Sequence, residues 1–194
     1  LKRDKQERCR QNFLPFVREM WPPFIGGKHH QIMAEAFERV ARGDLKRLII
    51  NMPPRHTKSE FASYLFPSWY LGLYPEKKVI QTAHTAELAV GFGRKVRNLV
   101  GSQEYQNVFQ TKLSSDSKAA GRWNTDKGGD YFAIGVGGAV TGKGADILII
   151  DDPHSEQEAM MGSPTVYERV FEWYSSGPRQ RLQPGGSIVI VMTR

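Results

Sequence analysis

Short apolar runs alternate with longer stretches in which apolar residues return every three or four positions. The runs "RLIIN", "KKVIQTA", "ADILIIDDP" and "SIVIVMTR" are of strand length and bounded by turn residues. Between them, 28–43, 59–75, 85–102 and 163–177 carry the 3.6-residue period of helices. In the first of these helices Ile32, Met33, Ala36, Phe37 and Val40 form the expected apolar stripe, with Gly43 as the stop. The second is expected to kink at Pro67, and the third to bury Leu88, Phe92, Val96 and Leu99. Residues 1–20 are basic and amphipathic, with Phe13, Phe16, Val17 and Met20 at helical spacing, and "WPPFIGG" breaks that helix. The stretch 101–146 has a weaker pattern, in which "RWNT" and "DYFAIGV" read as a hairpin across "DKGGD". Strands alternating with helices predict an α/β fold around a mostly parallel sheet. The expected division is a basic amino-terminal arm or helix, 1–27, followed by one domain, 28–194.

Composition narrows the class. The chain has 194 residues, 40% of them hydrophobic and 24% charged, enough for a core without staples. A single cysteine, Cys9, excludes an intramolecular disulfide framework and a cysteine-rich zinc site. The apolar runs are too short to span a bilayer, and the charged residues 1–12 do not read as a signal peptide, so a soluble, intracellular protein is expected. A formal net charge of +7 favours a polyanionic partner, nucleic acid above all.

The chemistry gathers at two strand ends. "LIINMPPRHTKSE" is a buried-strand run, then a loop, then Lys58-Ser59 at a helix start. A phosphate-binding loop needs that order, because backbone N–H groups, the helix dipole and a lysine then all face one anion. The glycine positions of the common phosphate-loop pattern are held here by Met52 and Thr57. Arg55 adds a cation inside the loop. Ninety-two residues on from Ser59, "ADILIIDDP" ends an apolar strand in Asp151 and Asp152. The first carboxylate is suited to holding Mg²⁺ with Ser59, and the second to orienting or deprotonating an attacking water. Glu156, in the following turn, is the alternative base. The two strands are expected side by side, with both carboxyl ends facing one crevice.

In their order, "HHQIMAEAFERVARGDLKRLIINMPPRHTKSE", "FPSWYLGLYP", "GVGGAVTGKGADILIIDDPHSEQEA" and "VFEWYSSGPRQRLQPGGSIVIVMTR" resemble the ATPase domain of the large terminase subunit of tailed bacteriophages. The resemblance runs from about Lys28 to the last residue. It implies a P-loop NTPase fold of the ASCE/RecA-like kind, with a central mostly parallel sheet flanked by helices. It also implies ATP and Mg²⁺ as ligands, and hydrolysis that drives double-stranded viral DNA into a procapsid. Loop 53–60 (Pro53, Pro54, Arg55, His56, Thr57, Lys58, Ser59 and Glu60) then looks like a deviant Walker A motif contacting ATP. Thr193, in "VMTR", looks like the residue that senses the γ-phosphate. Gln31 is the candidate for the adenine edge, and Trp21 or Phe24 for stacking. His29 and His30 read as a solvated helix start. The extra cation of phosphoryl transfer falls to Arg55 in cis, or to Lys143, Arg122, Arg179 or Arg181 from a neighbouring subunit. Arg94 and Arg97, one turn apart, offer a DNA-backbone contact, with a solvated face as the simpler reading.

The implied partners are double-stranded DNA, the portal protein, the small terminase subunit and further copies in a ring on the portal. The implied location is the host cytoplasm during infection, with no membrane. Large terminases also carry a nuclease domain, and its absence after residue 194 makes a truncated ATPase domain the expectation. Two other functions stay open: an ATP-dependent DNA helicase or remodeller of related fold, and a DNA-binding scaffold with a vestigial ATP site.

Overall fold

A computed structural model describes residues 2–193; Leu1 and Arg194, the outer ends of the first expected helix and the last expected strand, lie outside the described residues. In chain order the elements are α1 (Lys2–Gln11), α2 (Phe13–Met20), α3 (Lys28–Arg42), β1 (Arg47–Met52), α4 (Phe66–Leu73), β2 (Lys78–Ala83), α5 (Ala86–Val100), α6 (Gln103–Val108), β3 (Leu113–Ala119), β4 (Arg122–Thr125), β5 (Asp130–Gly135), β6 (Ala145–Asp151), α7 (Glu156–Met161), α8 (Pro164–Ser176) and β7 (Leu182–Thr193). A π-helical stretch, Glu60–Leu65, runs directly into α4. Its last N–H, on Phe66, reaches back five residues to Phe61 O. Pro67, which has no N–H to donate, follows it at the start of α4, where the helix was expected to kink.

The seven strands of the described residues form one sheet in the order β1-β7-β6-β2-β5-β4-β3. The first five are parallel; β4 and β3 return antiparallel, so the expected hairpin forms and gains a third strand. The strand that leads into loop 53–60 and the strand of the paired aspartates are therefore not neighbours. β7 lies between them, in register with Met52 opposite Thr193 on one side and Asp151 opposite Val191 on the other. Its run Ile188-Val189-Ile190-Val191 is apolar on both faces, which suits a strand covered on both sides.

Each sheet face has its own core. One, with Ile149, Val189 and Val191, is covered by α3, α4 and α5, and the other, with Leu148, Ile150 and Ile188, by α8 through Tyr174. α3 ends at Gly43, whose φ of 85° is the left-handed stop expected there. Two expected stripes are rotated. Ile32 and Leu88 are exposed, while α3 buries Ala34 and Ala41 and α5 buries Ala89, Gly93 and Val100. Small residues face inward on α5 because the hairpin comes very close: a Cβ on Gly93 would sit 2.4 Å from Ala120 O.

The amino-terminal helices are part of the main core rather than an arm. Cys9, Phe13, Phe16 and Val17 are fully buried in it. Phe13 has ring centroids of Phe37, Phe61, Phe66 and Trp69 at 5.4–6.1 Å. Its backbone N–H donates to Glu38 Oε1 at 2.8 Å, Trp69 Nε1 donates to Cys9 O, and Arg10 donates to Val108 O. Asn12 is extended, with φ −134° and ψ 134°, and splits the expected single helix in two.

Phe13→Ala should cost about 3–5 kcal/mol. Urea unfolding followed by far-UV circular dichroism should show one transition at a lower midpoint, whereas a detached arm would leave the midpoint unchanged.

Candidate functional site

The parallel strands β1, β7 and β6 end level, and their carboxyl edge collects the chemistry. β1 stops at Met52 because Pro53 and Pro54 cannot donate to a ladder. The loop then turns back into a helix that starts at Lys58. Arg55 and Thr57 both have φ of 62°, and Asp152, just past β6, has φ of 40°. No other described non-glycine residue has positive φ, so the strained backbone is confined to this edge.

Side chains from the loop and the helix after it, from β2, from the end of β6 and from β7 meet there. Lys58, only 6% exposed, places Nζ 2.8 Å from Asp152 Oδ2. Asp152 also accepts from Thr193, by the backbone N–H on Oδ1 at 2.5 Å and by Oγ1 on Oδ2 at 3.0 Å. Its own N–H donates to Val191 O, which extends the β6–β7 ladder past the strand end. Ser59 Oγ donates to Asp151 Oδ1 at 2.9 Å. Ser63, one turn further on, donates to Asp151 Oδ2 at 2.6 Å and accepts from Gln81 Nε2 of β2 at 3.0 Å. Sequence reasoning missed Ser63, although a hydroxyl four residues after Ser59 on the same helix lies on the same face.

Asp151 is 3% exposed, and burial raises its carboxyl to about 6; the bonds from Ser63 and Ser59 pull the other way and only partly offset it. Its carboxylate and the Ser59 hydroxyl are hard oxygen donors. Such a pair fits Mg²⁺, which needs only one or two protein oxygens when phosphates and water complete its shell.

The other sequence candidates are scattered. Arg55 and His56 are exposed on the loop, and His56 Nδ1 contacts Pro54 O. Glu60 has turned away from the loop to pair with Lys95 of α5 at 2.9 Å. Glu156 is exposed at the start of α7 and shares with Asp152, His84, His154 and Thr193 the wall of a groove of about 840 Å³. Gln31 is exposed on the first turn of α3. Phe24 packs against His30 and Phe61 rather than standing free to stack, with Trp21 beside it. His30 is not solvated: it is 5% exposed and bonded to Thr57 Oγ1 at 2.6 Å.

Lys143 is not at this edge. The segment after β5 carries the chain back to the amino end of β6, where Lys143 pairs with Asp130 at 2.6 Å and lies over the Phe132 ring. It stands a strand's length from Lys58, roughly 20 Å. Arg179 and Arg181 precede β7 at the same amino edge, and Arg122 lies on the hairpin. Arg97 is spent on Lys118 O and Asn98, while Arg94 is exposed. No helix of the described residues is long and apolar enough to cross a membrane.

The Asp151 proton gives a signed expectation. The folded chain holds it to about pH 6, the unfolded chain only to about 4. The stabilisation is complete below pH 4 and lost as pH rises through 6, a loss on the order of 3 kcal/mol. Asp151→Asn should remove this slope, so that urea midpoints of variant and parent diverge between pH 4.5 and 7 in the variant's favour.

No family model matches the chain, and no curated protein matches it. Among solved structures, the chain is similar to one described as the crystal structure of the HK97 bacteriophage large terminase, with a TM-score of 0.57 and 10% sequence identity. The match covers 88% of this chain and 33% of that one, so the chain spans about a third of its length. At that identity the likeness concerns the fold alone: a mixed α/β architecture with a mostly parallel seven-stranded sheet flanked by helices.

Proposed function

We propose that this chain is an ATP-hydrolysing motor domain of the large-terminase kind, working on double-stranded DNA. The convergence of Lys58 and Thr193 on Asp152, beside the Ser59–Asp151 pair, carries the proposal. A buried lysine with a carboxylate partner at a loop-to-helix junction is an anion site closed on itself. An incoming β,γ-phosphate competes with Asp152 for Lys58 and gains the helix N-terminus as well.

Ser59 and Asp151 are the residues that would hold Mg²⁺, which when bound neutralises phosphate charge. Losing Lys58 as a partner leaves Asp152 oriented by the Thr193 N–H and hydroxyl alone. Its free lone pair can then accept a proton from an attacking water. Thr193 ends β7, so any shift of Asp152 is felt along that strand, between β1 and β6. Arg55, exposed on the loop, is the cation within reach of the γ-phosphate. Because Lys143, Arg179 and Arg181 lie at the opposite edge, a cation beyond Arg55 would come from a neighbouring copy in a ring. The portal protein and small terminase subunit are the further partners of this proposal, and the host cytoplasm its setting.

Mg²⁺-dependent phosphate release from ATP should be measured across protein concentrations with and without double-stranded DNA. Lys58→Ala and Asp152→Asn should each reduce it by about 10²-fold or more. Activity untouched by Lys58→Ala would overturn the proposal, and ATP binding without turnover in every mixture would favour a scaffold.

A further inference from the structure

We propose that His30 is a positioning residue that holds the phosphate loop in shape by clamping Thr57 in a left-handed conformation. The inference rests on the phosphate-loop reading for its functional consequence, but not for its geometry. Thr57 occupies the second glycine position of the common loop pattern and has φ of 62°. Glycine adopts that conformation freely, whereas a β-branched residue resists it. Something must keep Thr57 there, because relaxation to negative φ would swing the N–H groups of the loop away from a bound anion.

His30 supplies the restraint, and every proton in the contact is accounted for. It is the third residue of α3, and its Nδ1 accepts from the N–H of the cap residue Gly27 at 2.8 Å. Nδ1 is thus unprotonated and the ring proton sits on Nε2. That N–H donates to Thr57 Oγ1 at 2.6 Å, and the Thr57 hydroxyl donates in turn to His56 O at 2.6 Å. The carbonyl of Thr57 accepts from Phe61 N–H at 3.0 Å, which fixes the other side of the residue. The ring cannot drift, since Phe24 lies edge-on to it at 4.7 Å and Phe61 packs at 5.2 Å. Burial, with His29 and His56 nearby, lowers the basicity of His30 and favours the neutral ring that the contact with Gly27 requires.

A strained residue and its restraint make a distinctive prediction: removing the strain removes the need for the restraint. His30→Phe keeps an aromatic ring between Phe24 and Phe61 and loses both nitrogens. Titration with Mg²⁺ and the fluorescent ligand N-methylanthraniloyl-ADP should show about tenfold weaker binding for this variant. With Thr57→Gly as the background, whatever its own affinity, adding His30→Phe should weaken binding by less than about threefold. An equal loss from His30→Phe with Thr57 and with Gly at 57 would overturn the clamp and leave His30 as packing alone. If the parent itself does not bind the nucleotide, the phosphate reading fails, and thermal midpoints of the same four proteins decide the clamp. A smaller midpoint drop from His30→Phe with glycine at 57 upholds it, and identical drops refute it.

Discussion

The geometry of the site depends on one constraint: β1, β7 and β6 must end at the same level. Only with Met52 opposite Thr193, and Val191 opposite Asp151, do the loop lysine and the paired carboxylates come within contact distance. Side chains alternate across a sheet, so a slip of one residue in β7 would turn Thr193 to the other face and leave Asp152 without its two donors. The apolar faces of β7 guard against that slip. Val189 and Val191 belong to the core under α3, α4 and α5, and Ile188 to the core under α8. Packing on both sides therefore sets the register, and the register sets the chemistry.

Backbone strain is concentrated at the same edge. Arg55, Thr57 and Asp152 all take positive φ without being glycine, and Thr57 and Asp152 are tied down by hydrogen bonds from other elements. Where a glycine-rich loop would be free to bend, this one is held bent by its surroundings. The aromatic cluster around Phe13, Phe24 and Phe61 reaches from the amino-terminal helices to His30, so the stiffness of the loop comes from the core beneath it.

Much of this was legible in the sequence because strand-length apolar runs and helix stops are local signals. The four parallel strands around the site, the stop at Gly43, α8 and the β4–β5 hairpin follow from such patterns. β3 was not legible, since "LSSDSKA" alternates no apolar face and forms only by pairing with β4. Nor was strand order, because nothing local tells β7 to enter between β1 and β6. At the site, the Lys58-Ser59 and Asp151-Asp152 pairs stood out as residue types at strand ends. His30 did not, because a histidine at a helix start is ordinarily solvated, and only the fold brings it to a threonine 27 positions away. The placement of Lys143 was not legible either, because its flanking glycines suggest a mobile loop, whereas Asp130 and Phe132 hold it at the far edge.

The position of β7 between β1 and β6 also bears on the order in which the molecule can be built. β7 follows every other described element in the chain, yet among the described strands it is the only neighbour of β1. Until residues 182–193 have emerged from the ribosome, β1 has no strand to pair with and Asp152 has no Thr193 to hold it. The half-sheet β6-β2-β5-β4-β3 can assemble earlier from contacts closer in sequence. Closure across a separation of about 140 residues then comes last, as a slow, non-local step. A nascent chain therefore carries the lysine and both aspartates before it carries the strand whose threonine joins them.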